Sequence, residues 1–147
     1  MTVLVRAVFL YKPPVTQEID KLAWIHLHEK QLLGARSRRR DAYYLPGGKR
    51  EPGESDQTAL IREIREELAV ELSPETIEYV GSFTAQADNK PEGTLVRMTC
   101  YSAAFHGTIA ASAEIEEVVW LSCKDRDRCS PVVRIILDWL KEKGRIE

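Results

Sequence analysis

The sequence predicts an α/β chain of the α+β kind, a mixed β-sheet with helices packed on its faces. Three observations lead there. Segments rich in β-branched and aromatic residues outnumber segments with helical periodicity. The two helical segments stand far apart, with several strands between them. A composition of 44% apolar and 30% charged residues over 147 positions supplies a core and argues against wholesale disorder. The length fits one domain spanning residues 1–147.

The elements follow in chain order. Val3 to Tyr11 reads as a strand closed by Lys12-Pro13-Pro14. Leu22 to His28 and Gln31 to Arg36 read as two strands joined by the polar turn His28-Glu29-Lys30. Tyr43-Tyr44-Leu45 is a short extended piece stopped by Pro46-Gly47-Gly48. A helix is expected from about Ser55, a good N-cap residue, to about Leu68. Glu78 to Gln86 and Leu95 to Phe105 are further strands around the turn-rich Asp88 to Gly93, and Val118 to Leu121 is a short apolar one. The last helix runs from Pro131, behind the N-cap Ser130, to Lys143, with Gly144 ending it.

Charge and composition exclude some classes. Lys and Arg number 21 against 23 Asp and Glu, so no basic excess supports general nucleic-acid binding. No apolar run approaches the roughly 20 residues that span a bilayer. The apolar start lacks a basic leader and a small-residue cleavage site. The three cysteines, Cys100, Cys123 and Cys129, are an odd number and read as reduced thiols. Together these predict a cytoplasmic protein without a membrane partner.

Chemistry concentrates between Arg36 and Glu71. At about 100° per residue, Glu63, Glu66 and Glu67 share one acidic stripe of the first helix, beside an apolar stripe of Leu60, Ile61, Ile64 and Leu68. Carboxylates at these spacings repel. Arg62 and Arg65 offset part of that, and a divalent cation would offset more; oxygen-only ligands favour Mg²⁺ or Mn²⁺. A solvated acidic helix face is the plainer alternative. The preceding loop is the opposite in sign, with Arg36, Arg38, Arg39, Arg40, Lys49 and Arg50 against Asp41. A basic, glycine-containing loop feeding an acidic helix suits a metal–polyphosphate substrate, with cations meeting phosphate and carboxylates meeting metal. Gly47-Gly48 lets backbone approach a ligand closely.

Gly48, Glu54 and Arg62-Glu63-Ile64-Arg65-Glu66-Glu67, at their spacings, resemble the signature box of the Nudix hydrolases, here residues 48–70. Leu45-Pro46-Gly47 and the Val118 to Leu121 strand are similar to that family as well. The box usually ends in Gly and an aliphatic residue; here the pair is Ala69-Val70, so the helix either runs further or carries strain of about 1–2 kcal/mol at its exit.

The resemblance implies a Nudix-type fold, a mixed β-sheet sandwiched between helices. It implies Mg²⁺- or Mn²⁺-dependent hydrolysis of a nucleoside diphosphate linked to another group X, a small-molecule nucleotide. Glu63, Glu66 and Glu67 would hold the cations, one of them serving or orienting the base. Arg62 would fix these carboxylates, Glu54 would brace loop and helix, and Gly47 or Gly48 would offer a carbonyl to the metal. Arg36, Arg38 and Lys49 are the candidate phosphate contacts. The stretch Phe83 to Asp88 has neither the Pro nor the Tyr carried downstream by subfamilies acting on ADP-ribose or dinucleoside polyphosphates. The chain is more MutT-like, a nucleoside triphosphate pyrophosphohydrolase giving monophosphate and pyrophosphate. Cys129 aligns where MutT-type proteins place the Asn or Asp that reads oxidised purines, so that specificity is not supported. An ADP-ribose or sugar-nucleotide pyrophosphatase, or a non-catalytic nucleotide- or RNA-binding module, stays open, as does a homodimer.

Other residues have plainer readings. His26 and His28 share a strand face directed to solvent or the sheet rim. Cys123 and Cys129 lack the further ligands zinc needs. Trp24, Trp120 and Trp139 are expected in the core. Glu114, Glu116 and Glu117 sit where some relatives place another carboxylate, with capping or solvation as the simpler role.

Overall fold

The computed structural model describes residues 14–147; the strand expected at Val3 to Tyr11 lies outside them. The strands are β1 (Gln17–Trp24), β2 (Leu27–His28), β3 (Gln31–Ser37), β4 (Gly47–Gly48), β5 (Glu71–Leu72), β6 (Glu78–Gln86), β7 (Thr94–Ser102), β8 (Phe105–His106) and β9 (Ile115–Leu121). The helices are α1 (Asp56–Leu68) and α2 (Pro131–Glu142).

One sheet has the order β4-β1-β7-β6, another β2-β3-β9, and β5 pairs with β8. Within the first, β1 and β7 run parallel from Gln17↔Thr94 to Trp24↔Tyr101, while β4 and β6 are antiparallel neighbours. The sheet is therefore mixed, as expected. Alternation along β1 sends Leu22 and Trp24 to one core with Leu60, Ile64 and Leu68 of α1, and Ala23 to the other with Val133, Ile136, Leu137 and Leu140 of α2. The two helices thus cover opposite faces, and the helix–sheet sandwich follows from period-2 strands meeting period-3.6 helices.

Several boundaries differ from the sequence reading. Leu95 to Phe105, expected as one strand, is divided between β7 and β8, which pairs with β5, and the strand expected at Val118 starts at Ile115. The strand expected at Leu22 to His28 is divided: Leu22 to Trp24 end β1, and Leu27-His28 pair with β3 in the other sheet. Apolar character is continuous across that break, so composition could not mark where the chain changes sheets. β1 also starts earlier, at Gln17, in a polar stretch whose pairing is supplied by β7. Trp24 is fully buried, but Trp120 is 38% exposed and stands beside His26 and His28, so it is not a core residue. Among the described residues, no helix is long and apolar enough to cross a membrane.

Candidate active site

Helix α1 begins at Ser55, whose Oγ accepts the Thr58 N–H at 3.1 Å. Its apolar stripe is buried at Ala59, Leu60, Ile64 and Leu68. That docking leaves the acidic stripe at the rim of a cleft of about 930 Å³, lined by Glu63, Glu66 and Glu67.

Arg62 ties the rim together. Its Nε and Nη2 donate to Glu54 at 2.8 Å each, its Nη1 to Glu63 Oε1 at 3.0 Å, and its Nη2 also to the Lys49 carbonyl at 3.0 Å. Glu66 Oε1 lies 3.6 Å from the same guanidinium. Loop and helix are thereby joined by charge-assisted bonds, the bracing expected of Glu54. The Arg62 guanidinium and the Glu51 N–H hold the Glu54 carboxyl down to about 2. A Cβ at Gly48 would stand 2.5 Å from the Glu63 carboxyl carbon, so a larger residue there would push that carboxylate from its place on the rim. Gly47, at φ +148°, has no room either: its Cβ would meet the Leu22 carbonyl oxygen at 2.0 Å.

Glu67 is held differently. It is half-buried, accepts the Gly47 N–H at 3.3 Å, and has no guanidinium partner among the described residues. Burial, then the Glu63 carboxylate, push its pKa up to about 8. Burial also raises Glu63, against the pull of Arg62. Two carboxyls with raised proton affinity on one acidic rim are a site short of positive charge. The donors are hard oxygens, which suit Mg²⁺ or Mn²⁺. As they stand the carboxylates do not converge: among the described residues no three acidic, His or Cys side chains form a ready metal cluster, and Arg62 occupies the space between Glu63 and Glu66.

The basic loop divides. Arg38, Arg39, Arg40 and Lys49 line the cleft. Arg36 does not: its Nε donates to Glu117 Oε1 at 2.9 Å and its Nη1 to Glu116 Oε2 at 3.2 Å and to the Arg40 carbonyl at 3.0 Å. Two carboxylates on the adjacent β9 capture it, which sequence distance concealed. Glu114, by contrast, lies on the cleft wall, on a loop whose Ala110 and Ser112 N–H groups donate to the Leu68 and Glu67 carbonyls.

Among the cleft residues not singled out from sequence, three carry polar groups of note. Lys21 stands on β1 with its side chain lining the cleft. Tyr44 donates to Asp88 Oδ2 at 2.6 Å on the far wall. Ser130 is 2% exposed, and its Oγ is a buried polar atom without a partner among the described residues, although it precedes α2. No local signal marked them, since Lys21 lies before the strand expected from Leu22 and is placed on β1 by its pairing with β7. The remaining expectations fall outside the cleft: His26 stacks on Trp24 with centroids 4.6 Å apart, and all three cysteines are free.

Comparison with known proteins gives three kinds of match. Residues 22–140 match the family model described as the NUDIX domain. A 77-residue segment is 38% identical to the CTP pyrophosphohydrolase of Escherichia coli K12, covering 52% of each chain, so the match spans about half the length of that relative. The fold is similar to the solution structure of the E. coli ORF135 protein (TM-score 0.66, 30% identity, 85% of this chain and 91% of that one). It is also similar to the MutT NUDIX hydrolase of Burkholderia pseudomallei (TM-score 0.66, 22% identity, 83% and 97%), a likeness of fold alone.

Proposed function

The chain belongs to the NUDIX domain family, and from that premise we propose that it is a pyrophosphohydrolase cleaving a nucleoside triphosphate to monophosphate and pyrophosphate with Mg²⁺ or Mn²⁺. The observation that carries this reading is the Arg62 clamp, which joins the glycine loop to the glutamate helix at the rim of a cleft with basic walls. A rim locked to the loop by three hydrogen bonds, two to Glu54 and one to the Lys49 carbonyl, is more than a solvated acidic face. The reading takes residues 1–147 as one unit, since β1 and α2, near opposite ends, contribute to one core.

In this reading Glu63, Glu66 and Glu67 hold the divalent cations. Bound there, the cations neutralise polyphosphate charge and make water more acidic. Arg38 and Lys49 meet phosphate oxygens, and Arg62 keeps Glu63 and Glu66 on the rim. The raised proton affinity of Glu67 belongs to the rim without metal, and a cation seated there would displace that proton. Gly47 and Gly48 keep the backbone flush with the substrate. The apolar part of the cleft, with Val96, Met98 and Val132, takes the base.

The test is phosphate and pyrophosphate release over a nucleotide panel with Mg²⁺, Mn²⁺ or excess chelator. CTP stands first, because the E. coli relative is named for it. A triphosphate should give the best kcat/KM, and activity should vanish in chelator while the fold survives. A tenfold preference for ADP-ribose or a sugar nucleotide, about 1.4 kcal/mol of transition-state discrimination, would overturn the substrate assignment. Full turnover in chelator would overturn the mechanism.

A further inference from the structure

Several cations near the cleft are neutralised by neighbours. Arg36 is taken by Glu116 and Glu117, Arg50 by Asp20 and Asp56, and Arg62 by Glu54 and Glu63. Lys21 is not. It is half-buried on β1, lines the cleft, and has no ion pair within 4.0 Å among the described residues. Residues 1–13 contain no Asp or Glu that could supply one. Its sequence neighbour Asp20 is engaged by Arg50.

The surroundings add positive charge. Leu22 pairs with Gly48 across β1 and β4, so that register sets Lys21 beside Lys49. Like charges side by side on adjacent strands are destabilising. Arg40 and Lys90 add to the field, and Glu67 is the carboxylate that acts on the amine from across the rim. Burial and these cations together lower the Lys21 pKa. A half-buried cation lacking a paired anion weakens the empty protein. In exchange it focuses positive potential inside the cleft, where an anionic ligand would meet it.

The position of Lys21 selects the anion. On one side β4 leads to the carboxylate rim, and on the other Met98 of β7 is its register partner at the apolar floor. The amine therefore stands between the place for metal and the place for a base. A phosphate that joins the two parts of a nucleotide belongs there.

We propose that Lys21 is a substrate-binding residue whose ammonium takes a non-bridging oxygen of the phosphate on the nucleoside side of the glutamate rim. The assignment rests on the nucleotide reading above and names a contact that reading leaves open. It also predicts that removing the amine harms binding without harming the fold, the reverse of what a structural ion pair would do.

The experiment compares wild type, Lys21→Met and Lys21→Arg by calorimetric titration with α,β-imido-CTP in Mg²⁺. Titration with Mg²⁺ alone and melting curves in chelator run beside it. Lys21→Met should lose at least tenfold in affinity for the analogue, keep its Mg²⁺ affinity within twofold, and melt at or above the wild-type temperature. Lys21→Arg should bind the analogue more tightly than Lys21→Met. Analogue binding by Lys21→Met within twofold of wild type would overturn the assignment. So would an equal loss of Mg²⁺ affinity or a lowered melting temperature, either of which makes Lys21 a counter-charge for Glu67. If wild type binds the analogue, the variants judge Lys21 alone. If wild type neither binds it nor hydrolyses any nucleotide of the panel, the nucleotide reading falls as well.

Discussion

Glu67 is the residue at which folding and chemistry are most directly opposed. Its carboxyl is pushed up to about 8 by burial and by Glu63, so the folded chain binds this proton more tightly than the unfolded chain does. Between the ordinary carboxylate range and about pH 8 the folded state therefore carries the extra proton, and stability falls as pH rises through that window. Glu67→Gln removes the effect. In chelator the variant should melt with wild type at about pH 5 and about 3 °C above it at about pH 8, equivalent to about 1 kcal/mol for a chain of this size after solvent screening. With Mg²⁺ and substrate the order reverses, and kcat should fall by at least about 10²-fold. Melting curves across pH beside steady-state rates check both halves. A variant with turnover within threefold of wild type would remove Glu67 from the site.

At the scale of elements, the exit of α1 is instructive. Ala69 takes the left-handed conformation, φ 58° and ψ 29°, where glycine is the usual residue, and its N–H closes on the Arg65 carbonyl. The helix does not run on; it accepts the strain. Ala69 is exposed, so its methyl contributes no buried packing. Ala69→Gly should stabilise the protein by about 1 kcal/mol, raising the melting temperature by about 2–4 °C, with kcat unchanged. A lower melting temperature would show that the unfolded-chain entropy of glycine outweighs the relieved strain.

The same helix shows what sequence could and could not reveal. Its start at Ser55, its apolar stripe and the grouping of Glu63, Glu66 and Glu67 follow from local periodicity, and the structure has them all. The resemblance implies that Arg62 fixes the rim carboxylates and that Glu54 braces loop and helix, but the bonds between Arg62 and Glu54 themselves are a finding of the structure. Other features depend on partners distant in sequence. Arg36 looks like any arginine of its basic loop until β9 brings Glu116 and Glu117 to it. Lys21 is one polar residue in a strand until Lys49 and Glu67 surround it. Ser130 reads as an ordinary N-cap, yet its hydroxyl makes no capping bond. Charge and period are local properties, whereas which charge is neutralised is decided by the tertiary fold.

For the molecule as a whole, the proposed function would make proton, cation and nucleotide compete or cooperate at one rim. A cation seated on Glu67 must displace its proton, so Mg²⁺ affinity should fall as pH drops below about 8. Binding to the folded state alone raises stability, by about 2.7 kcal/mol when the ligand stands at 100 times its Kd. Adding Mg²⁺ with α,β-imido-CTP at about pH 8 should therefore raise the melting temperature by several degrees, and the gain should shrink towards pH 6. Thermal melts over a grid of pH and ligand check this. A gain independent of pH would mean that Glu67 stays out of the cation site.

The parallel pairing of residues 17–24 with 94–101 has a consequence for how the protein is made. A ribosome delivers the glutamate helix before β7, so β1 has an open edge until that strand is made. Non-local pairings of this kind form slowly and leave strands exposed in the interval. The floor of the cleft, with Val96 and Met98, arrives on that late strand. The glutamate rim is thus synthesised before the strand that floors the cleft, and Val132 of α2 follows later still.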